Sequence, residues 1–339
     1  MSVSLSATPA EITLDGSTRG GGASAPPPPI RIRRKSRGPG PITWISLPAI
    51  LLFVLFVIVP VIVALYYSFF AWKGFGTPHY IGLDNYVRTL TDKAFWAAVG
   101  HNGIIMVASL VMQGPLAILV ALLLNKKMRG RSLIRILVFV PYVISEAIVG
   151  IGMGLMLQDA GAINGLLGKI GALFGGDGSR AMVGWISDPK LAIWTLMFIL
   201  TWKYLGFAII LMLAGLQGVP EELSEAGAVD GATYWQIQWH IMLPLLKPTI
   251  KIWAFLSIIG SMQLFDLVFV IWGQYIASIA GTSTMAWYMA ANGRLSGQLG
   301  FGSAIAIIVF VISLVVAIAY QRFVLNRDTE GALTEPEEK

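Results

Sequence analysis

The sequence predicts an all-α polytopic membrane protein with six transmembrane helices. Three observations carry that expectation. The chain has 339 residues, of which 56% are hydrophobic and 12% charged, against about 25% charged in soluble domains. So little charge cannot solvate a globular surface, and lipid is the solvent that suits the excess apolar area. The apolar residues also fall into six blocks, each long enough for the roughly 20 residues a spanning helix needs. Finally, Lys and Arg concentrate in alternate connections between those blocks. This composition excludes a soluble enzyme, a disordered protein and a nucleic-acid binder. Cysteine is absent, so disulfides, thiolate metal sites and cysteine nucleophiles are excluded too.

Residues 1–40 hold Gly20-Gly21-Gly22, the prolines Pro26 to Pro29 and the basic run Arg31, Arg33, Arg34, Lys35, Arg37. Nothing there could bury a core, so they are expected to form a disordered tail. The membrane domain is expected over 41–326, and a short tail over 327–339. The first span lies in the charge-free stretch from Gly38 to Trp72, far longer than a signal-peptide core. The second is expected at about 97–125, the third at 134–157, the fourth at 190–217, the fifth at 248–273 and the sixth at 300–323. Only Glu146, Lys203 and Asp266 are clearly charged inside them. Trp44, Trp72 and Tyr320 sit near span ends and read as interfacial belt residues. Gly150 and Gly154 form a small-xxx-small pair suited to close helix packing.

With both termini cytoplasmic, sixteen of the 24 Lys and Arg fall inside and seven outside, with Lys203 in a span. The compact cluster Lys126, Lys127, Arg129, Arg131, Arg135 carries most of that bias.

The 218–247 connection is the most informative segment. Pro220 suits a first helical position, and Glu221 and Glu222 suit the positive end of a helix dipole. Gly231 should end that helix, and Thr233 with Gln236 has capping-box spacing for a second. Pro244 and Pro248 are expected to redirect the chain near the fifth span. The segment therefore reads as two short helices at a small-residue elbow, with Glu221, Glu222, Glu225 and Asp230 as an acidic flank. From the residues alone, an interfacial amphipathic helix fits equally well.

Reaction chemistry is not evident. Gly165-Leu-Leu-Gly168-Lys169 has the wrong spacing for a phosphate loop, and His79, His101 and His240 have no metal-ligand spacing.

Glu225-Ala226-Gly227, Gly231, Ile241, Leu243 and Pro244 resemble the EAA motif of ABC-importer permeases, with Gly227 in place of its second alanine. Ile81-Gly-Leu-Asp-Asn-Tyr86, Phe139-Val-Pro-Tyr-Val-Ile-Ser145, Trp202-Lys-Tyr-Leu-Gly-Phe207, Ala214-Gly-Leu-Gln-Gly-Val-Pro220, Phe265-Asp266-Leu267 and Leu299-Gly-Phe-Gly302 resemble its carbohydrate-uptake, maltose-type branch. The resemblance covers roughly 42–325. It departs after the fifth span, where Gly273-Gln-Tyr-Ile-Ala replaces a Gly-Gly-Pro turn.

This resemblance implies a permease subunit importing a sugar or small oligosaccharide across a bacterial cytoplasmic membrane, both termini cytoplasmic. It implies a related second permease, two ATP-binding subunits that carry ATP and Mg, an extracytoplasmic solute-binding protein, and no cofactor in this chain. The ATPase-coupling set would be Glu225, Ala226, Gly227, Asp230, Gly231, Ile241, Leu243 and Pro244 on a cytoplasmic coupling helix. Substrate contacts would be Lys203, Tyr204, Phe207, Ser257, Ser261, Leu264 and Asp266. Glu146 joins them as an intramembrane ionisable group. A structural ion pair is the competing account of the three charges, and lipid-facing packing that of the aromatics. Other readings are an importer of glycerol phosphate, an ion-driven secondary carrier using Glu146 and Asp266, and a membrane-embedded enzyme.

Overall fold

The structure is a computed structural model that describes residues 41–126, 129–175 and 183–325. The 1–40 and 327–339 tails, Lys127 and Arg180 lie outside the described residues, as does the side chain of Trp44. Contacts divide the chain after Leu52. The described part of Met1–Leu52 is helical from Pro41 and includes the start of the first span, and Phe53–Lys339 holds the rest of that span and every element after it.

Helices dominate. The first span is α1 (Ser46–Tyr67). A two-residue hairpin, β1 (Phe70–Ala71) with β2 (His79–Tyr80), leads to α2 (Asp84–Thr91). The second span is α3 (Lys93–Asn125). Then come α4 (Arg131–Val143), α5 (Glu146–Leu157) and α6 (Ala162–Leu173). The fourth span is α7 (Pro189–Gln217), followed by α8 (Glu221–Val229). The fifth is α9 (Tyr234–Gln263). The short helices α10 (Asp266–Trp272), α11 (Ile276–Ile279) and α12 (Met285–Asn292) precede the sixth span, α13 (Leu299–Leu325). Among the described residues, six helical stretches are long and apolar enough to cross a membrane. Residues 146–173 (α5 and α6) supply the third of them.

Proline placement explains where three of these helices loosen. Single π-turns at Val54–Ile58, Ser109–Gln113 and Gln238–Met242 each end two residues before a proline, namely Pro60, Pro115 and Pro244. A proline lacks the N–H its i−4 carbonyl needs and its ring crowds that carbonyl, so the preceding turn widens. The expected redirection at Pro244 and Pro248 does not occur. The helix runs through both, so the fifth span begins at Tyr234 rather than near 248, and the second short helix of the elbow is its first turn.

Two expected spans are broken instead. The 134–157 stretch is cut at Ile144–Ser145, where Ser145 N-caps α5 by accepting from Ile148 N at 3.3 Å. The 248–273 stretch is cut at Leu264–Phe265. Hydropathy alone could not place either break, because both halves are apolar. The two distal halves, α5 and α10, pack together. A Cβ on Gly150 would come within 2.7 Å of the Val270 side chain, whereas one on Gly154 meets nothing. Only the first glycine of the pair therefore serves close packing.

The buried apolar residues form two clusters. One gathers Phe95, Ile105, Leu196, Ile199, Leu267, Trp272 and Ile305; the other gathers Leu122, Ile209, Met212, Leu216, Ile237 and Leu246. Ser109 stands midway along α3 and Lys203 midway along α7, between the two clusters.

Candidate functional site

A cavity of about 180 Å³ opens between the two clusters, at the mid-depth of the spans. Five of the expected substrate residues line it: Tyr204, Phe207, Ser257, Ser261 and Leu264. Sequence reasoning missed Tyr142, Ser109, Gln113, Thr201 and Trp253, which line it as well. Ser109 and Gln113 are polar residues one turn apart in the middle of a mostly apolar span, and that spacing was the available signal.

The walls combine aromatic faces with a chain of neutral hydroxyls. Tyr142 stacks on Phe207 with ring centroids 5.1 Å apart and meets Tyr204 edge-on at 6.0 Å. The Ser109 and Ser257 hydroxyls are 2.7 Å apart, and Ser109 Oγ donates to Gln113 Oε1 at 2.9 Å. Ser261 Oγ donates to the Ser257 carbonyl at 2.7 Å. Such a wall offers apolar faces to stack on and uncharged donors and acceptors for hydroxyl groups.

Lys203 is not on that wall. It is buried, and its ammonium donates to the Ile144 carbonyl at 2.6 Å and to the Tyr142 carbonyl at 3.4 Å. These carbonyls belong to the end of α4, where no further turn donates an N–H to them, and a cation at a helix C-terminus is also favoured by the dipole. The break in the third span is thus held by a lysine from the fourth. Glu146 opens α5 and accepts a hydrogen bond from the Tyr204 hydroxyl. Consecutive residues of α7 therefore grip the two sides of one break. Gly206 completes the arrangement: a Cβ there would lie 2.2 Å from the Val138 carbonyl oxygen, so only glycine lets the α4 backbone come this close.

The second break is held by α3 and by the segment that leads into α12. Thr284 Oγ1 donates to the Leu264 carbonyl at 2.6 Å, and Asn102 Nδ2 to the Ser261 carbonyl at 2.6 Å. Asn102 Oδ1 accepts from Met285 N at 2.8 Å. Thr282, Ser283 and Thr284 are all buried, so the chain beyond the departing Gly273–Ala277 segment folds inward after Gly281, whose φ is +67°. Asp266 is the exposed first residue of α10 and does not line the cavity.

The elbow is built by its own motif residues. Gly231 has φ +82°, and its N–H and that of Ala232 return to the carbonyls of Ala228 (3.1 Å) and Gly227 (3.0 Å). This double closure ends α8. Thr233 and Gln236 form the expected capping box. Gly227 is buried, and a Cβ on it would be 2.9 Å from Ile241 Cδ1, so two motif positions fourteen residues apart in sequence touch. Tyr234 Oη donates to the Leu122 carbonyl at 2.9 Å, tying the elbow to the end of α3. Glu225, Ala226, Asp230, Gly231 and Pro244 stay exposed, while Ile241 and Leu243 are half-buried. Val229 is 87% exposed and Trp239 53%, an apolar surface beside the acidic flank.

Residues 113–327 match the family described as binding-protein-dependent transport system inner membrane component. The trehalose/maltose transport system permease protein MalF of Thermococcus litoralis is 30% identical over 276 residues, covering 81% of this chain and 90% of the relative. The multiple sugar-binding transport system permease protein MsmF of Streptococcus mutans is 30% identical over 278 residues, covering 81% and 92%. Among solved structures, a chain of a bacterial alginate ABC transporter in complex with an alginate pentasaccharide-bound periplasmic protein is 25% identical. It superposes with a TM-score of 0.70, covering 83% of this chain and 92% of that one.

Proposed function

We propose that this chain, which belongs to the family of binding-protein-dependent transport system inner membrane components, forms the path for a sugar or small oligosaccharide. As a family member it is a multi-pass inner-membrane permease subunit of an ABC importer, and ATP hydrolysis belongs to other subunits. The observation that carries the sugar reading is the mid-depth cavity, where aromatic faces and neutral hydroxyls line one space. Tyr142, Tyr204, Phe207, Ser257, Ser261 and Leu264 would contact the sugar. Lys203, Glu146 and Asp266 would act by holding or flanking the two helix breaks. Relatives named for maltose and multiple-sugar transport support the same reading.

The partners in this reading are a second related permease, two ATP-binding subunits and an extracytoplasmic solute-binding protein. The exposed elbow is the dock for the ATPases: Glu225, Ala226, Asp230 and Gly231 present its surface, while Gly227 and Ile241 hold its shape. Residues 1–40 and 327–339 are its cytoplasmic tails. ATP-driven closure would move the elbow and rock α9, into which it continues, opening the cavity to alternate sides. Purification in mild detergent with mass spectrometry of the co-purifying chains tests this. An ATP-binding subunit should be present in stoichiometric amount, and its absence would overturn the proposal.

A further inference from the structure

We infer that the cavity takes an uncharged sugar ring and excludes uronates and other anionic sugars. This rests on the sugar-path reading above and narrows it to one substrate class. Among the described residues the cavity wall carries no Asp, Glu, Lys, Arg or His. The one lysine at this depth, Lys203, aims its ammonium at two backbone carbonyls of α4 instead. The nearest acid, Glu146, stands behind the Tyr204 phenol that lines the cavity. An anionic sugar would thus lose its hydration against a neutral wall, because the Lys203 ammonium, 5.4 Å from the Tyr204 ring centre, is already engaged by the two carbonyls. Burying an unpaired ion costs far more than burying a hydroxyl that finds a partner.

The volume of about 180 Å³ also sets scale. It falls below the roughly 300–1,000 Å³ of pockets for drug-sized ligands, so this chain's wall engages one ring at a time. That ring would stack on the Tyr142–Phe207 pair or on Trp253.

The test uses the intact importer complex in lipid nanodiscs without the solute-binding protein, so that selection by that protein does not enter. Trp253 is the reporter, read as the fluorescence difference between the unaltered complex and Trp253→Phe. The probes are glucose, glucuronate and glucuronamide, with the corresponding galactose series. The amide matches the carboxylate in shape and lacks only its charge. Glucose and glucuronamide should bind within a few-fold of each other, and glucuronate on the order of 100-fold more weakly. Glucuronate binding as tightly as the amide would overturn the inference and leave the sugar site standing. If no member of either series perturbs Trp253, the sugar-path reading itself fails.

Discussion

Gly206→Ala places one methyl group where the structure has no room for it. The new Cβ would lie 2.2 Å from the Val138 carbonyl oxygen and 2.9 Å from Phe139 Cα, both backbone atoms that cannot rotate away. To reach the 3.4 Å of ordinary contact, α4 and α7 must part by about 1.2 Å. Tyr142 lies one turn further along α4, so the shift carries one cavity wall with it. It also stretches the bond from Lys203 to the Tyr142 carbonyl, already 3.4 Å long. Overpacking of this kind costs about 1–3 kcal/mol, and each kcal/mol lowers Tm by roughly 2–4 °C in a domain of 150–250 residues. The assay is thermal unfolding of the purified complex together with substrate-stimulated ATP hydrolysis. Gly152→Ala is the control, because a Cβ at Gly152 meets nothing within 4 Å. Gly206→Ala should lose several degrees and most of the substrate response, and Gly152→Ala neither. Equal behaviour of the two variants would refute the close approach as the reason for glycine.

Other outcomes follow from the same geometry. Lys203→Met leaves the half-buried Tyr142 and Ile144 carbonyls without that donor, and should destabilise the subunit by about 1–3 kcal/mol, read as loss of folded protein in a detergent melt. At Gly231 the left-handed backbone costs a non-glycine residue about 1–2 kcal/mol, with Asn the mildest replacement. Gly231→Asn should therefore couple ATP hydrolysis to transport better than Gly231→Leu, and both should still insert. Gly227→Ala restores the motif's alanine and presses on two side chains, the flexible end of Ile241 at 2.9 Å and Ile237 Cγ1 at 3.3 Å, so transport should change less than twofold. Tyr204→Phe removes the hydrogen bond to Glu146 and should lower transport more than it lowers Tm.

The number and nature of the spans were legible because composition reports the solvent directly. The capping box at Thr233 and the helix end at Gly231 were legible because each depends on residues at most five apart. The two helix breaks were not. Ile144–Ser145 is fixed by Lys203, fifty-eight or more residues away, and Leu264 by Thr284, and no local pattern announces such pairings. The same distance hid the role of Lys203. Its charge in a span suggested a ligand contact, but its partners are carbonyls exposed by a break that hydropathy cannot see. The cavity was half legible. Tyr204 and the serines of α9 stood out by polarity in apolar surroundings and Phe207 by the family resemblance, whereas Trp253 and Tyr142 look like ordinary membrane aromatics until the helices are packed.

The central claim is that this chain provides the path for a sugar moved at the expense of ATP. It is tested most directly by uptake of radiolabelled neutral sugars into proteoliposomes that hold the complete importer, with ATP inside the nucleotide-accessible compartment. The account predicts ATP-dependent accumulation that Ser257→Ala and Tyr204→Phe each reduce while the complex stays assembled. ATP-dependent accumulation of sugar that neither substitution alters, or an assembled complex that accumulates no sugar, would contradict it.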